Sequence, residues 1–535
     1  MAESVEIVPS LSRSRTGRTA SIVGGLMVLV SVVGYLREAA LAARFGVSST
    51  MDAYFGAIFI PNILYSILIA GTVSPILIRI LVQEETAGDE ARSSEAFSVV
   101  ATFSLLVISL IICCLALPGS RFWLAWLFPG FDNATLAVAA RLVYIIFPSV
   151  MFLAVTGLLT AVLNGYNRFA LVSIAPAFAS TAVIVAAFFA RGDRAVYVVG
   201  IATAVGFLLQ CLVLVPAAAS LGMRYRPIFN FRHPAIKRLL RLGIPLFLYL
   251  AVAGASSVME RNFASRLSAG TVSALSYALR LFTVPSNFLA APLAIVAYPG
   301  FAREASKPRH GELGTQLSKI FRFVLFLFLP VTIWTIINSL VVTRLLYEHG
   351  RFLLGDSVIT ARVLAVYSVG ILPNAIALVL LRCFFAVEDT LTPLLAEILA
   401  FLSFVLAGPL LSRHFGIEGL VAARAAAFFL VMGILVYVLA RRKALLNLDW
   451  DLLKFLLRTT VATLGMGMLS WLSLRLLMGT FDAGGSVVRL LLTLMLMAIS
   501  GAVYLLLARL LNMGEARQIW STARALLPSG NRGEL

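Results

Sequence analysis

The chain has 535 residues, 60% of them hydrophobic and only 13% charged, with a mean hydropathy of +0.97. A soluble domain of that length could not bury so much apolar surface, so composition excludes one and leaves a polytopic membrane protein. The net charge of +18 is carried by basic residues in short loops, the distribution that orients a membrane protein, and no nucleic-acid partner is expected.

Residues 1–18 read as a polar, cytoplasmic tail carrying Arg13, Arg15 and Arg18. The apolar run that follows leads into Arg37 and Glu38 with no small-residue cleavage site, so a retained first span is expected and not a signal peptide. Spans are expected at 19–44, 52–83, 94–117, 135–164, 169–190, 195–220, 238–262, 271–302, 318–343, 357–385, 391–411, 418–440, 455–477 and 487–511. That makes an all-α protein of about 14 transmembrane helices, each near the ~20 residues that a bilayer core requires.

The expected organisation is an N-lobe of six spans (19–220), a basic cytoplasmic linker (221–237) and a C-lobe of six spans (238–440). Two further spans (441–511) and a second cytoplasmic tail (512–535) complete it. Arg224, Arg226, Arg232, Lys237, Arg238 and Arg241 follow the sixth span, Arg303, Lys307, Arg309, Lys319 and Arg322 the eighth, and Arg441, Arg442 and Lys443 the twelfth. These gaps share a side with the Arg-bearing N-terminus, which places both termini in the cytoplasm. Arg191, Arg194, Arg344 and Arg351 on the opposite side reduce the contrast.

No loop exceeds about twenty residues, which leaves no room for a soluble catalytic domain. Cys113, Cys114, Cys211 and Cys383 lie in apolar runs, and His233, His310, His349 and His414 in separate loops, so neither set reads as a metal site.

The stretch REAALAARFGVSSTMDAYFGAIFIPNILYSILIAGTVSPILIR, from Arg37 to Arg79, sets Arg37, Glu38, Arg44 and Asp52 among apolar residues. It returns weakly at an offset of 222 to 224 residues, where Arg266 answers Arg44, Tyr277 answers Tyr54 and Pro285 answers Pro61. Tyr144 similarly matches Tyr367, and Asn167 matches Asp389. An even number of spans separates the copies, so they are parallel repeats, which place a binding site at their interface and work by alternating access.

Charge at the bilayer centre costs roughly 2.5–3.5 kcal/mol per residue on insertion scales, so the charged positions need an account. Arg37 and Glu38 end the first span, as a pair that snorkels to the interface or that faces a cavity. Asp52 opens the second span, where it either caps that helix or serves the cavity. Arg280 lies ten residues into SALSYALRLFTVPSNFLAAPLAIVAYP, too deep to reach water along lipid, and a cavity role is favoured. Arg382, Glu397 and Arg424 are equally deep, as packing ion pairs or functional groups, and Glu260 and Arg261 are expected to form an interfacial cluster with Arg266. Pro61, Pro148, Pro285, Pro292 and Pro373 lie within spans and bend them, for motion or as static kinks. Arginine engages phosphate through a fixed fork of donors, so a cationic cavity open to both leaflets suits a lipid-linked pyrophosphate bearing a sugar.

At these residues the chain resembles the MurJ/MviN family of the MOP flippase superfamily. The resemblance rests on VGYLREAALAARFGVSSTMDAYFGAIFIPNIL, VLNGYNRFALVSIAPA, SYALRLFTVPSNFLAAPLAIVAYP, HGRF and LLRCFFAVEDTLTP, and extends over nearly the whole chain. It implies two parallel six-helix lobes in a V shape around a central cavity, plus two C-terminal helices. It also implies a flippase for an undecaprenyl-pyrophosphate-linked saccharide across the bacterial inner membrane, with lipid II the default cargo. That makes the chain a transporter and not an enzyme, a monomer whose partners are the lipid-linked saccharide, membrane lipids and the cell-wall synthesis machinery. Arg37, Arg280 and Asp52 match the family's cavity residues, with Arg44, Glu38, Arg266 and Arg382 as secondary candidates.

No cofactor or metal is implied. Coupling to Na+, H+ or the membrane potential is expected without an assigned site, although some relatives carry a sodium site. The chain departs from the family where Ser31, Tyr65, Ser66, Ala70 and Leu279 stand at positions that are often charged. A less cationic cavity follows, which leaves open an exopolysaccharide or O-antigen repeat unit as cargo, and more remotely an ion-coupled exporter of organic cations.

Overall fold

The computed structural model describes residues 15–86, 90–116, 119–192, 194–221, 225–307, 311–442, 445–446 and 449–516. Arg13, Arg224, Arg309 and Lys443, on which the expected orientation partly rests, lie outside these residues, as do most of the N-terminal tail and 517–535 of the C-terminal one. Among the described residues every regular element is a helix.

Among the described residues eleven helices are long and apolar enough to cross a membrane, and thirteen if each of two bent pairs counts as one. The bent pairs, Asn133–Ile146 with Ser149–Gly165 and Leu354–Ser368 with Ile371–Ala386, fall at the expected fourth and tenth spans. The expected eleventh and twelfth spans form one helical stretch of 52 residues, Leu391–Arg442. At ~1.5 Å per residue a straight helix of that length would be more than twice as long as the hydrocarbon core is thick. It is not straight. Gly416 has φ 60° and ψ −138°, and a Cβ placed on Gly419 would lie 2.2 Å from the Leu411 carbonyl oxygen. The chain therefore folds back at Gly416 into two antiparallel segments, and a count of fourteen requires that they be counted separately.

Local chemistry sets several of the helix boundaries. Ser48 caps the second span by accepting from the Met51 amide at 3.3 Å, Asp132 caps the fourth through the Thr135 amide at 2.9 Å, and Asp449 caps Trp450–Ala483 through the Leu452 amide at 2.8 Å. Such caps satisfy amides that the first turn leaves without partners. The fourth span breaks at Phe147 and Pro148, where proline removes a backbone donor.

The internal repeat is visible in the irregularities. The second span, Ser49–Leu81, and the eighth, Thr271–Ala305, both widen into π-helix shortly after or at a proline, at Tyr65–Val73 and at Ser286–Ala290. The fourth and tenth spans bend by 46° and 45°. All four features recur near the offset of 222 residues read from the sequence.

The chain forms two compact units: 1–254 with 268–273 and 349–352, and 255–267 with 274–348 and 353–535. In the first, Ile69, Leu77, Phe97, Val100, Leu158 and Ala161 pack a core among the second, third, fourth and seventh spans. Small residues bring the fifth and sixth spans together: a Cβ on Gly206 would lie 2.8 Å from the Ala179 Cα, the close approach by which membrane helices gain van der Waals contact.

In the second unit the two C-terminal helices attach to the ninth span, Glu312–Tyr347. Asn338 donates to Ser470 Oγ at 2.9 Å, and the Tyr504 hydroxyl donates to the Phe326 carbonyl at 2.7 Å. At the end of the ninth span, Arg344 binds Glu348 at 2.6 Å and also Asp482, while Arg489 binds Glu348 at 3.1 Å. Leu406, Met468 and Leu476 stay exposed on outer faces, as suits helices solvated by lipid tails.

Candidate substrate-binding site

In the first unit, Arg37 Nη2 donates to Glu38 Oε1 at 2.5 Å, with side chains 23% and 7% exposed. The pair is therefore largely withdrawn from the surface, unlike a snorkelling pair at an interface. Tyr54 lies within electrostatic reach of both, and its hydroxyl shares a 3.0 Å hydrogen bond with Thr203. Arg44 is half-buried in the last turn of the first helix.

Asp52 is buried, and it does not cap its own helix, because Ser48 already does. Its Oδ2 accepts from the Gly270 amide and its Oδ1 from the Ser273 amide, each at 2.6 Å. These amides open the eighth span, so Asp52 caps a helix more than 200 residues away in sequence. Hydrogen bonds to a charged group contribute about 1.5–3 kcal/mol each, and the helix dipole adds to them. The geometry depends on Gly270, whose φ of 89° favours glycine and whose absent Cβ would lie 2.7 Å from Val47. The HGRF motif is tied to the same unit: the Arg351 amide donates to the Ala43 carbonyl at 2.8 Å.

In the second unit, Arg280 is half-buried on the eighth span and Arg382 half-buried on the tenth. The expected interfacial cluster of Glu260, Arg261 and Arg266 does not form as such. Arg266 is exposed, with its guanidinium 5.7 Å from the centre of the Phe263 ring. Glu260 is 1% exposed and accepts from the Tyr367 hydroxyl at 3.3 Å. Its electrostatic partners are Arg424 and Arg261, and Arg424 also acts on Glu397. The depth of Glu397 and Arg424 in apolar sequence signalled this group, but nothing in the sequence joined them to Glu260 and Tyr367. Nor does any side-chain pattern announce Gly270 and Ser273, which act through their backbone amides.

Ser31 and Ser66 turn their hydroxyls onto their own helices. Ser31 Oγ donates to the Met27 carbonyl at 2.9 Å and Ser66 Oγ to the Ile63 carbonyl at 3.0 Å, while Tyr65 packs against the apolar core of the first unit.

Repeated, proline-bent and π-widened spans that carry arginines and carboxylates within apolar sequence define a multi-pass helical membrane transporter. A family model described as lipid II flippase MurJ matches residues 41–501. The chain belongs to this family. It is 30% identical over 382 residues to the lipid II flippase MurJ of Burkholderia cenocepacia, covering 69% of this chain and 73% of that one. It is 26% identical over 424 residues to the probable lipid II flippase MurJ of Vibrio cholerae, covering 77% and 81%. Among solved structures, a lipid II flippase MurJ in an inward closed conformation superposes with a TM-score of 0.77 at 21% identity, over 92% of this chain and 98% of that one. An inward-facing multidrug resistance MATE transporter of the MOP superfamily follows with a TM-score of 0.63 at 15% identity, over 79% and 98%. These two structural likenesses concern the fold.

Proposed function

We propose that this chain is a flippase that moves lipid II, the undecaprenyl-pyrophosphate-linked precursor of peptidoglycan, across the bacterial inner membrane by alternating access. The observation that carries the reading is family membership over residues 41–501 in a chain whose first and eighth spans hold Arg37 and Arg280 within apolar sequence. Guanidinium forks suit a pyrophosphate, and the polyprenyl tail can stay in the bilayer while the head crosses.

In this reading the parallel six-span repeats act as two lobes, and Arg37 and Arg280 engage the pyrophosphate or the sugar-peptide head. Arg44, Glu38, Arg266 and Arg382 shape the surrounding field. Asp52 acts as a latch. Its carboxylate holds the Gly270 and Ser273 amides in one state and exchanges them for an arginine in another, so that cargo shifts the population between the two. The protein works as a monomer with both termini in the cytoplasm and performs no chemistry on its cargo. The membrane potential assists, at about 2.3 kcal/mol per charge per 100 mV.

A polyprenyl-linked exopolysaccharide or O-antigen unit is the second reading, favoured by the neutral Ser31, Tyr65 and Ser66. Complementation separates the two: expression of this chain is expected to rescue cells depleted of their lipid II flippase, and failure of the well-expressed protein to do so would favour the second cargo.

A further inference from the structure

The buried polar centre of the second unit carries its own cation. Glu260 comes from the end of the seventh span, Tyr367 from the tenth, and Glu397 and Arg424 from the two segments that fold back at Gly416. Glu260, Glu397 and Arg424 are 1%, 9% and 7% exposed. The guanidinium of Arg424 lies 5.6 Å from the centre of the Phe404 ring and 4.8 Å from that of Phe428. Its charge acts on both carboxylates and on the Tyr367 hydroxyl. Arg261 adds a second positive charge beside Glu260.

Two carboxylates thus lie within electrostatic reach of two guanidiniums, and the formal charges cancel. One oxygen of Glu260, Oε1, makes no hydrogen bond, so its charge is offset by the field of the two arginines and not by direct bonds alone.

Such a centre does not fit a sodium ion of the kind found in some relatives. No three carboxylate, histidine or cysteine side chains converge anywhere among the described residues. An added cation would enter a charge-balanced, low-dielectric pocket next to Arg424, where like charge repels strongly. The Phe404 and Phe428 rings already receive the guanidinium at cation–π distance, so the positive charge that the carboxylates attract is supplied by the chain itself.

We propose that Arg424 is a tethered cation that ties together the seventh, tenth, eleventh and twelfth spans, replacing a soluble ion in the second unit. The unit then needs no Na+ to assemble its polar centre. Under the transporter reading, any dependence on an ion gradient arises elsewhere, or from the membrane potential.

Thermal melting of the full chain in nanodiscs tests this without reference to cargo, so its outcome and the lipid II assignment stand or fall separately. Melts are compared in NaCl and in choline chloride at equal ionic strength. The wild type is expected to melt at the same temperature in both, and a rise specific to Na+ would overturn the proposal. Arg424→Ala leaves the two carboxylates with one partner between them, and it is expected to melt several degrees lower and to gain stabilisation from Na+ or guanidinium. The charge-balanced pair Arg424→Ala with Glu397→Gln is expected to recover stability relative to Arg424→Ala and to lose the response to Na+. A pair no more stable than the single variant, or a single variant that melts like the wild type, would show that Arg424 does not act through its charge and would overturn the proposal.

Discussion

Individual charges carry most of the functional argument, and two of them make separable predictions. Arg280→Ala removes a guanidinium whose charge-assisted contacts with a phosphate are worth about 1.5–3 kcal/mol. Transport is expected to fall at least tenfold in a flipping or complementation assay while the folded protein stays in the membrane, because a half-buried side chain supports little packing. Wild-type transport in that variant would remove Arg280 from the site. Asp52→Ala deletes the buried acceptor of two amides at the start of the eighth span, charge-assisted bonds worth about 1.5–3 kcal/mol each. A lower melting temperature is expected, with Asp52→Asn intermediate, since an amide oxygen can accept only one of the two bonds well. The sequence showed that Asp52, Arg37 and Arg280 are costly to place in a membrane. It could not show that Asp52 reaches Gly270 and Ser273, because a backbone donor leaves no signature in side-chain identity. The same limit hid the link from Glu260 to Arg424, which only the packing of four helices creates.

Helices in this chain are shaped at their breaks, and the breaks can be tested. Gly416 reverses the chain between two spans with φ 60° and ψ −138°, a region nearly closed to residues with a Cβ. Gly416→Ala is expected to cost about 1–3 kcal/mol of stability, read as a lower melting temperature, although its Cβ would meet only a Glu418 oxygen at 3.8 Å. The expectation of two spans here came from the length and charge of the apolar runs. Two consecutive spans already imply a reversal; what the sequence does not announce is its tightness, since RHFGIEG carries Gly416 at the turn, Gly419 just after it, and no proline. The ion cluster at the end of the ninth span makes the pH-dependent case. Burial pushes the Glu348 carboxyl up, but the hydrogen bonds and charge of Arg344, joined by Arg489, outweigh it and leave Glu348 below its ordinary value. A group held low in the folded state contributes stability above its unfolded pKa of about 4.3, and that stability is lost as pH falls through the folded value. Glu348→Gln is therefore expected to melt lower than the wild type at neutral pH, with the difference shrinking as the medium is acidified below pH ~4. A constant difference across that range would assign the effect to packing.

At the level of the whole molecule, the repeat was the most legible feature. A handful of matched residues at one offset anticipated the repeat and bends at its prolines, while the two π segments at corresponding places were not foreseen. Composition and the length of the apolar runs determined the all-helical membrane class, because in lipid only helices and closed barrels satisfy their backbone hydrogen bonds and barrel strands alternate over ~10 residues. What sequence matches could not convey is that the copies have diverged inside. Tyr367 is buried against Glu260, whereas its counterpart Tyr144 on the fourth span is exposed. Orientation rests on a different kind of information, the asymmetry of basic loops, and it can be settled by accessibility. The loop after the sixth span includes the exposed Asn230, and the loop after the fifth the exposed Arg191. With the N-terminus inside, the first loop faces the cytoplasm and the second faces out. In a variant whose four cysteines are replaced, Arg191→Cys is expected to react with a membrane-impermeant maleimide in spheroplasts. Asn230→Cys is expected to react only after the membrane is opened. The reverse pattern would invert the protein, turning the basic loops outward and requiring the head group to be loaded from the other face.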